Sequence, residues 1–361
     1  MQPMHGRLSD PGSYQGLQHF ITHSTWTVRP FWQRLRELIP TRHGILAIDD
    51  TGLPKQGTAT VGVQRQYCGA LGKVANCQVA VSSALLAGGV AWLTSLELYV
   101  PQIWMDDEDR RARAQIPRPL AFREKWRIAV AHVRTVLASG FTLEAVVADA
   151  AYGGTAQFRA ALERLGVCYV VAVPYFVSAR LAVGLPSESL AALANSLAPS
   201  AWHRIRWGQG TKGPLAARFA AIRVRMPKSR SERWLLCQES LIDDERQYYF
   251  SNLPPTTPLR TLVRIARSRW AIEVQYRDLK SELGLDHFEG RSYRGWTHHA
   301  VLAALTFTFL QFERRRRPTP RPTFPEIRDL MREVMAALLW TARPGWLKLA
   351  ISFQRNPPLR I

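Results

Sequence analysis

Apolar positions change their period repeatedly along this chain. Residues 14–39 read as helical: Leu17, Phe20 and Ile21 share a face, Trp32, Leu35 and Leu38 follow at helical spacing, and Pro40 ends the run. Gly44–Ile48 is a short apolar strand running straight into Asp49, Asp50 and Thr51. A glycine-rich, basic segment from Gly52 to Lys73 follows. Gln78–Leu86 and Val90–Val100 read as a strand pair turning at Gly88 and Gly89. The acidic run Asp106–Asp109 reads as a surface turn or helix start. Glu124–Ser139 is an amphipathic helix stopped by Gly140. Leu143–Ala148 is a strand, Gln157–Leu165 a helix and Val167–Val173 another strand. This alternation predicts an α/β core with an antiparallel part.

The texture then changes. Residues 200–255 alternate aromatic or aliphatic residues with basic ones, broken by turn signals, and predict an inserted β-rich module. Helical texture returns from Leu259 to about Leu285 and from Trp296 to Arg317. Residues 318–325 form a proline-rich linker, and Glu326–Trp340 a last helix before a basic tail. The expected division is an N-terminal helical segment (1–43), a first core part (44–175), the β-rich insertion (176–257), a last core part (258–317), and a linker, helix and tail (318–361). The longest apolar stretch, Val301–Phe312, is interrupted by polar residues and falls short of the roughly 20 residues of a membrane span. The opening residues lack the apolar region of a signal peptide.

Composition narrows the partner. The 361 residues carry a formal charge of +20, and half of that excess lies in residues 260–361. Hydrophobic residues are 47% and charged residues 21%, which excludes a wholly disordered chain or a fibre. So large a basic excess concentrates polyanions, and nucleic acid is the expected partner. Cys68, Cys77, Cys168 and Cys237 form no metal-ligand spacing and read as reduced core cysteines in a cytoplasmic protein.

Carboxylates carry the candidate chemistry. Asp49 and Asp149 follow apolar strands, where an acid is held at a strand mouth; capping of the next turn is the competing reading. In the helix from Leu259, residues Arg269, Glu273, Tyr276 and Lys280 fall on one stripe, with an i,i+4 ion pair as the plainer reading. Three such acids suit phosphodiester chemistry, which uses two divalent ions to activate a water and steady the leaving oxygen.

The segments Ile48–Gly57, Gly62–Val81 and Val147–Gly153, together with Arg269–Glu273 and Leu283–His299, resemble bacterial insertion-sequence transposases of the DDE superfamily. The resemblance runs from about Arg7 to about Phe312. It implies an RNase H-like mixed sheet flanked by helices, with a β-rich insertion between the second aspartate and the glutamate. It also implies a catalytic, metal-holding triad of Asp49, Asp149 and Glu273, with Asp50 as the alternative to Asp49. Glu282 and Glu289 are lower-ranked competitors for the third acid. In the family's Tyr-Arg-Glu-Lys signature, Arg269, Glu273 and Lys280 fit, while Ala266 stands at the tyrosine position and Tyr276 is read as its substitute.

Arg269, Tyr276, Lys280, Lys55, Arg65 and Lys73 are the expected DNA contacts, and Trp202, Trp207 and Trp234 are read either as core or as stacking rings for a flipped base. His298 and His299 read as core or surface residues, because neighbours on a helix point apart. The expected activity is cleavage at transposon ends and strand transfer into target DNA, with two Mg²⁺ ions or Mn²⁺ in their place. The expected partners are double-stranded DNA and a second copy of the chain, on the bacterial nucleoid and without a membrane. The alternatives are a truncated copy that only binds DNA, since little chain precedes Asp49, or a non-mobile RNase H-like nuclease.

Overall fold

The computed structural model describes residues 14–210, 213–227, 231–243, 245–317, 320–342 and 345. The start of the expected N-terminal segment and the basic tail lie outside the described residues. The N-terminal helical region is two helices, α1 (Tyr14–Thr22) and α2 (Arg29–Leu38), and not one run. Trp26, in the link between them, stacks on His298 with ring centroids 3.7 Å apart.

A single ten-stranded mixed sheet organises the chain. Strand β1 (His43–Pro54) pairs antiparallel with β3 (Lys73–Ala87) and parallel with β5 (Thr142–Ala148). The short β2 (Gln64–Cys68) and then β4 (Val90–Tyr99) pair with β3, and β6 (Tyr169–Val173) lies parallel to β5. The core order is therefore β4-β3-β1-β5-β6, three antiparallel strands followed by two parallel to the first, which is the RNase H-like arrangement. The hairpin at Gly88 and Gly89 forms as the sequence predicts, with both glycines at positive φ.

Both faces of the sheet are covered, so its central strands are buried almost throughout. Helices α3 (Lys125–Ala138) and α4 (Ala156–Arg164) pack on the face of Leu46, Ile48, Val146 and Ala148. Ile45, Ala47, Ala145 and Val147 face the other way, toward α5 (Leu259–Ser268) and α6 (Trp270–Arg277). The period-two alternation of β1 thus divides its two acids: Asp49 lies on the α5–α6 face and Asp50 on the α3 face.

Four strands of the insertion, β7 (His203–Gly210), β8 (Gly213–Arg225), β9 (Glu232–Glu239) and β10 (Arg246–Ser251), form an antiparallel ladder that continues the core sheet through the pairing of β10 with β6. A third packed region gathers α2, β4, α7 (Tyr293–Arg316) and α8 (Phe324–Ala342) around Trp104, Trp296 and Phe307. His298 lies buried there, its ring nitrogens against the carbonyls of Ile21 and Trp26, so it is a core residue.

Candidate active site

Asp49 is one residue along in sequence from the expected strand mouth but well inside the strand in space. β1 continues to Pro54, so the acid projects from mid-strand, a correction to the short-strand reading. Polar Asp49–Thr51 stay in the strand because β3 pairs with them, Asp49 lying directly across from Ser82. Asp149 follows the last residue of β5 and caps the helical turn Ala150–Gly153, accepting from the N–H groups of Ala151 at 3.0 Å and Tyr152 at 3.2 Å. The capping reading and the site reading hold for the same side chain. Gly153 follows from packing: a Cβ there falls 1.9 Å from the carbonyl oxygen of Ala172.

Arg269 joins the acids. Its guanidinium donates to Asp49 Oδ2 at 2.8 Å and also pairs with Glu273, one turn along the helix. Burial, first, and then the negative charges of Asp149 and Asp50 push the Asp49 carboxyl up to about 7, against the opposing pull of Arg269. Burial likewise raises Asp149. Burial alone lowers the Arg269 guanidinium, but Asp49 and Glu273 outweigh it, so it is held more firmly protonated. Asp50 faces away and pairs with Lys125 at 2.6 Å, a partner no motif announced. Glu282 is paired with Arg328, and the exposed Glu289 with Lys55. Of the candidate third acids, Glu273 is the one tied to Asp49.

The stripe Arg269–Tyr276–Lys280 exists, but it faces the sheet. Tyr276 is buried and shares a 2.6 Å hydrogen bond with Ser82, opposite Asp49. Lys280, in one turn of π-helix (Asp278–Glu282), donates to the Gly52 carbonyl at 2.9 Å, and burial lowers its pKa. Lys55 is buried and donates to the Asp286 carbonyl at 2.8 Å. In this structure Tyr276, Lys280 and Lys55, read from the sequence as DNA contacts, each direct the polar head to a protein partner. Arg65 and Lys73, on the β2–β3 hairpin, remain exposed.

A groove of about 580 Å³ opens over Asp149 and Glu273, lined also by Arg269, Trp270, Tyr175 and Tyr248. Trp270 is 58% exposed and Tyr175 is 64% exposed. Sequence reasoning missed both, although Trp270 sits beside Arg269 in the quoted motif. Trp202 and Trp207 instead carry arginine guanidinia over their rings, and Trp234 donates to the Pro254 carbonyl. Asp49 and Asp149 carry the hard oxygen donors that suit a divalent cation, and burial is the first cause of the raised pKa of each. Among the described residues no three His, Cys, Asp or Glu side chains stand together as a ready metal site. Glu273 is paired with Arg269.

Fold and carboxylates together define the class: an RNase H-like enzyme of nucleic-acid chemistry. The chain belongs to the DDE superfamily of endonucleases, matching the DDE superfamily endonuclease family over residues 1–188 and the transposase DDE domain over residues 128–309. It is similar to the probable transposase for insertion sequence element IS701 of Microchaete diplosiphon, with 29% identity over 306 residues, 82% of this chain and 72% of that protein. A solved piggyBac transposase in a synaptic complex with hairpin DNA aligns with 9% identity and a TM-score of 0.45, over 90% of this chain and 61% of that one. Enzymes of this superfamily generally use divalent metal ions. Among the described residues no helix is long and apolar enough to cross a membrane.

Proposed function

We propose that this protein is a transposase that cuts DNA at the ends of an insertion sequence and joins the freed 3′-hydroxyls to target DNA. The observation that carries this reading is that Arg269 bonds both Asp49 and Glu273 and shares one groove with Asp149 and Glu273. Asp49, Asp149 and Glu273 would hold the divalent ions, two Mg²⁺ or Mn²⁺, and Arg269, bonded to Asp49 and Glu273, would be the cation beside them that contacts a DNA phosphate. The metal supplies an activated water and charge stabilisation at the leaving oxygen. Tyr276 and Lys280 fix the helix against β1 and β3, so that Glu273 stays in register with Asp49.

Trp270 and Tyr175 offer ring faces to a base drawn from the duplex beside the cut, and a homodimer provides one such site for each end. The site of action is the nucleoid. The test is Mg²⁺-dependent cleavage and strand joining on DNA carrying the gene's own flanking sequences. Wild type cuts and joins, whereas Asp149→Asn and Glu273→Gln still bind and do neither. Full cutting by either variant would remove its acid from the mechanism.

A further inference from the structure

A second groove lies beyond the carboxylates and shares no lining residue with the first. Its volume is about 890 Å³, and Thr58, Arg65, Asn76, Arg110, Arg113 and Arg291 line it. The chain reaches it by following β1 out of the site: Pro54 lies five residues past Asp49, about 17 Å along the strand at roughly 3.3 Å per residue. The walls are built. Asn76 donates to the carbonyls of Lys55 at 3.0 Å and Gly57 at 2.7 Å, fixing the loop after β1. Arg110 donates to the Thr58 carbonyl at 2.9 Å, and its guanidinium lies 3.8 Å from the centre of the buried Trp104 ring.

The other three arginines differ in kind. The side chains of Arg65, Arg113 and Arg291 are exposed, and none has a hydrogen-bond or ion-pair partner among the described residues. They come from a strand, a short helix and a loop far apart in sequence, so no local helix pattern brings them together. Asp107, the acid in the lining, is already engaged, its carboxylate accepting the Arg110 N–H at 2.8 Å as a helix cap. Four arginines against the one carboxylate of Asp107 leave the lining net positive, which favours an anion between them. Guanidinium forks match phosphate oxygens.

We propose that this groove grips the phosphate backbone of duplex DNA, independently of base sequence and apart from the cutting site. The polyanion is taken as DNA on the proposed function above; the clamp itself is a separate claim. It is tested in the full chain carrying Asp149→Asn, so that no cutting confounds binding. A short random-sequence DNA duplex is titrated at several salt concentrations. Removing Arg65, Arg113 and Arg291 together, each to Ala, is expected to weaken binding by roughly tenfold or more and to lower the log–log salt slope by about three, near one per lost phosphate contact.

Arg→Lys at the same three positions restores most of the slope, since the charge remains. A control of equal charge change, Arg34→Ala with Arg134→Ala and Arg164→Ala, keeps the slope of the parent. A triple groove variant that binds like its parent, or a control that loses as much, overturns the clamp. Unchanged DNA binding with weakened binding of an RNA duplex would also overturn it. Failure of the parent to bind DNA at all would instead sink the proposed function. Unchanged melting temperatures confirm that the surface substitutions leave the fold intact.

Discussion

The two grooves use arginine in opposite ways. In the carboxylate groove Arg269 is enclosed and neutralised, bonded to Asp49 and Glu273. In the groove past β1, Arg65, Arg113 and Arg291 are exposed and unpaired among the described residues. The first sets the Arg269 guanidinium among three carboxylates and bonds it to two of them. The second sets four arginines against one carboxylate, so its excess positive charge faces the open groove. Chemistry needs the former, because burial keeps the acids fixed and makes charge costly enough to matter. Adhesion needs only the latter.

The largest expected effect falls on the acids. Asp149→Asn should slow Mg²⁺-dependent cutting by roughly 10³-fold, the rate equivalent of the several kcal/mol a metal-held oxygen contributes, while DNA affinity changes little. Parallel cleavage and binding titrations check this, and a variant that lost binding and kept its rate would invert the comparison. Next comes the frame of the acidic groove. Gly153→Ala forces a Cβ against the Ala172 carbonyl and should cost about 3 kcal/mol in urea unfolding. Surface arginines of the second groove should each cost within about 0.5 kcal/mol.

Arg269→Gln removes the cation that competes for Asp49. Calorimetric titration with Mg²⁺ should show binding tighter by roughly tenfold, or about 1.4 kcal/mol. Weaker binding would mean that Arg269 orders the acids more than it blocks them. The smallest effect belongs to Tyr276→Phe, which loses the bond to Ser82 and should cost about 1 kcal/mol of stability with an unchanged salt slope of DNA binding. A fall in that slope would return Tyr276 to the DNA contacts.

Much of the frame was legible because local patterns specify it. Gly88-Gly89 between two apolar runs marks the β3–β4 hairpin, and the apolar run to Ala148 marks the strand that delivers Asp149. The helical stripe of Arg269, Glu273, Tyr276 and Lys280 was equally readable, since it depends on spacing alone. Its direction was not. Periodicity puts residues on one face without saying what that face meets, and here it meets β1 and β3. Periodicity therefore could not show that Tyr276 and Lys280 hydrogen-bond within the protein. The length of β1 was hidden because Asp49, Asp50 and Thr51 end the apolar run, while pairing with β3 carries the strand on to Pro54.

What the chain determined by itself was therefore the menu of elements, the basic charge, and the motif that places two aspartates and a glutamate in one family. What only tertiary structure decided was which charges meet. Asp49 and Asp50 are adjacent in sequence, yet the pleat sends one to Arg269 and the other to Lys125, 220 and 75 residues away. The continuation of the core sheet by the inserted strands, and the meeting of Arg65, Arg113 and Arg291, are long-range outcomes of the same kind. Backbone propensity and periodicity act over a few residues, whereas an ion pair or an unpaired cluster depends on packing between segments that no local pattern encodes.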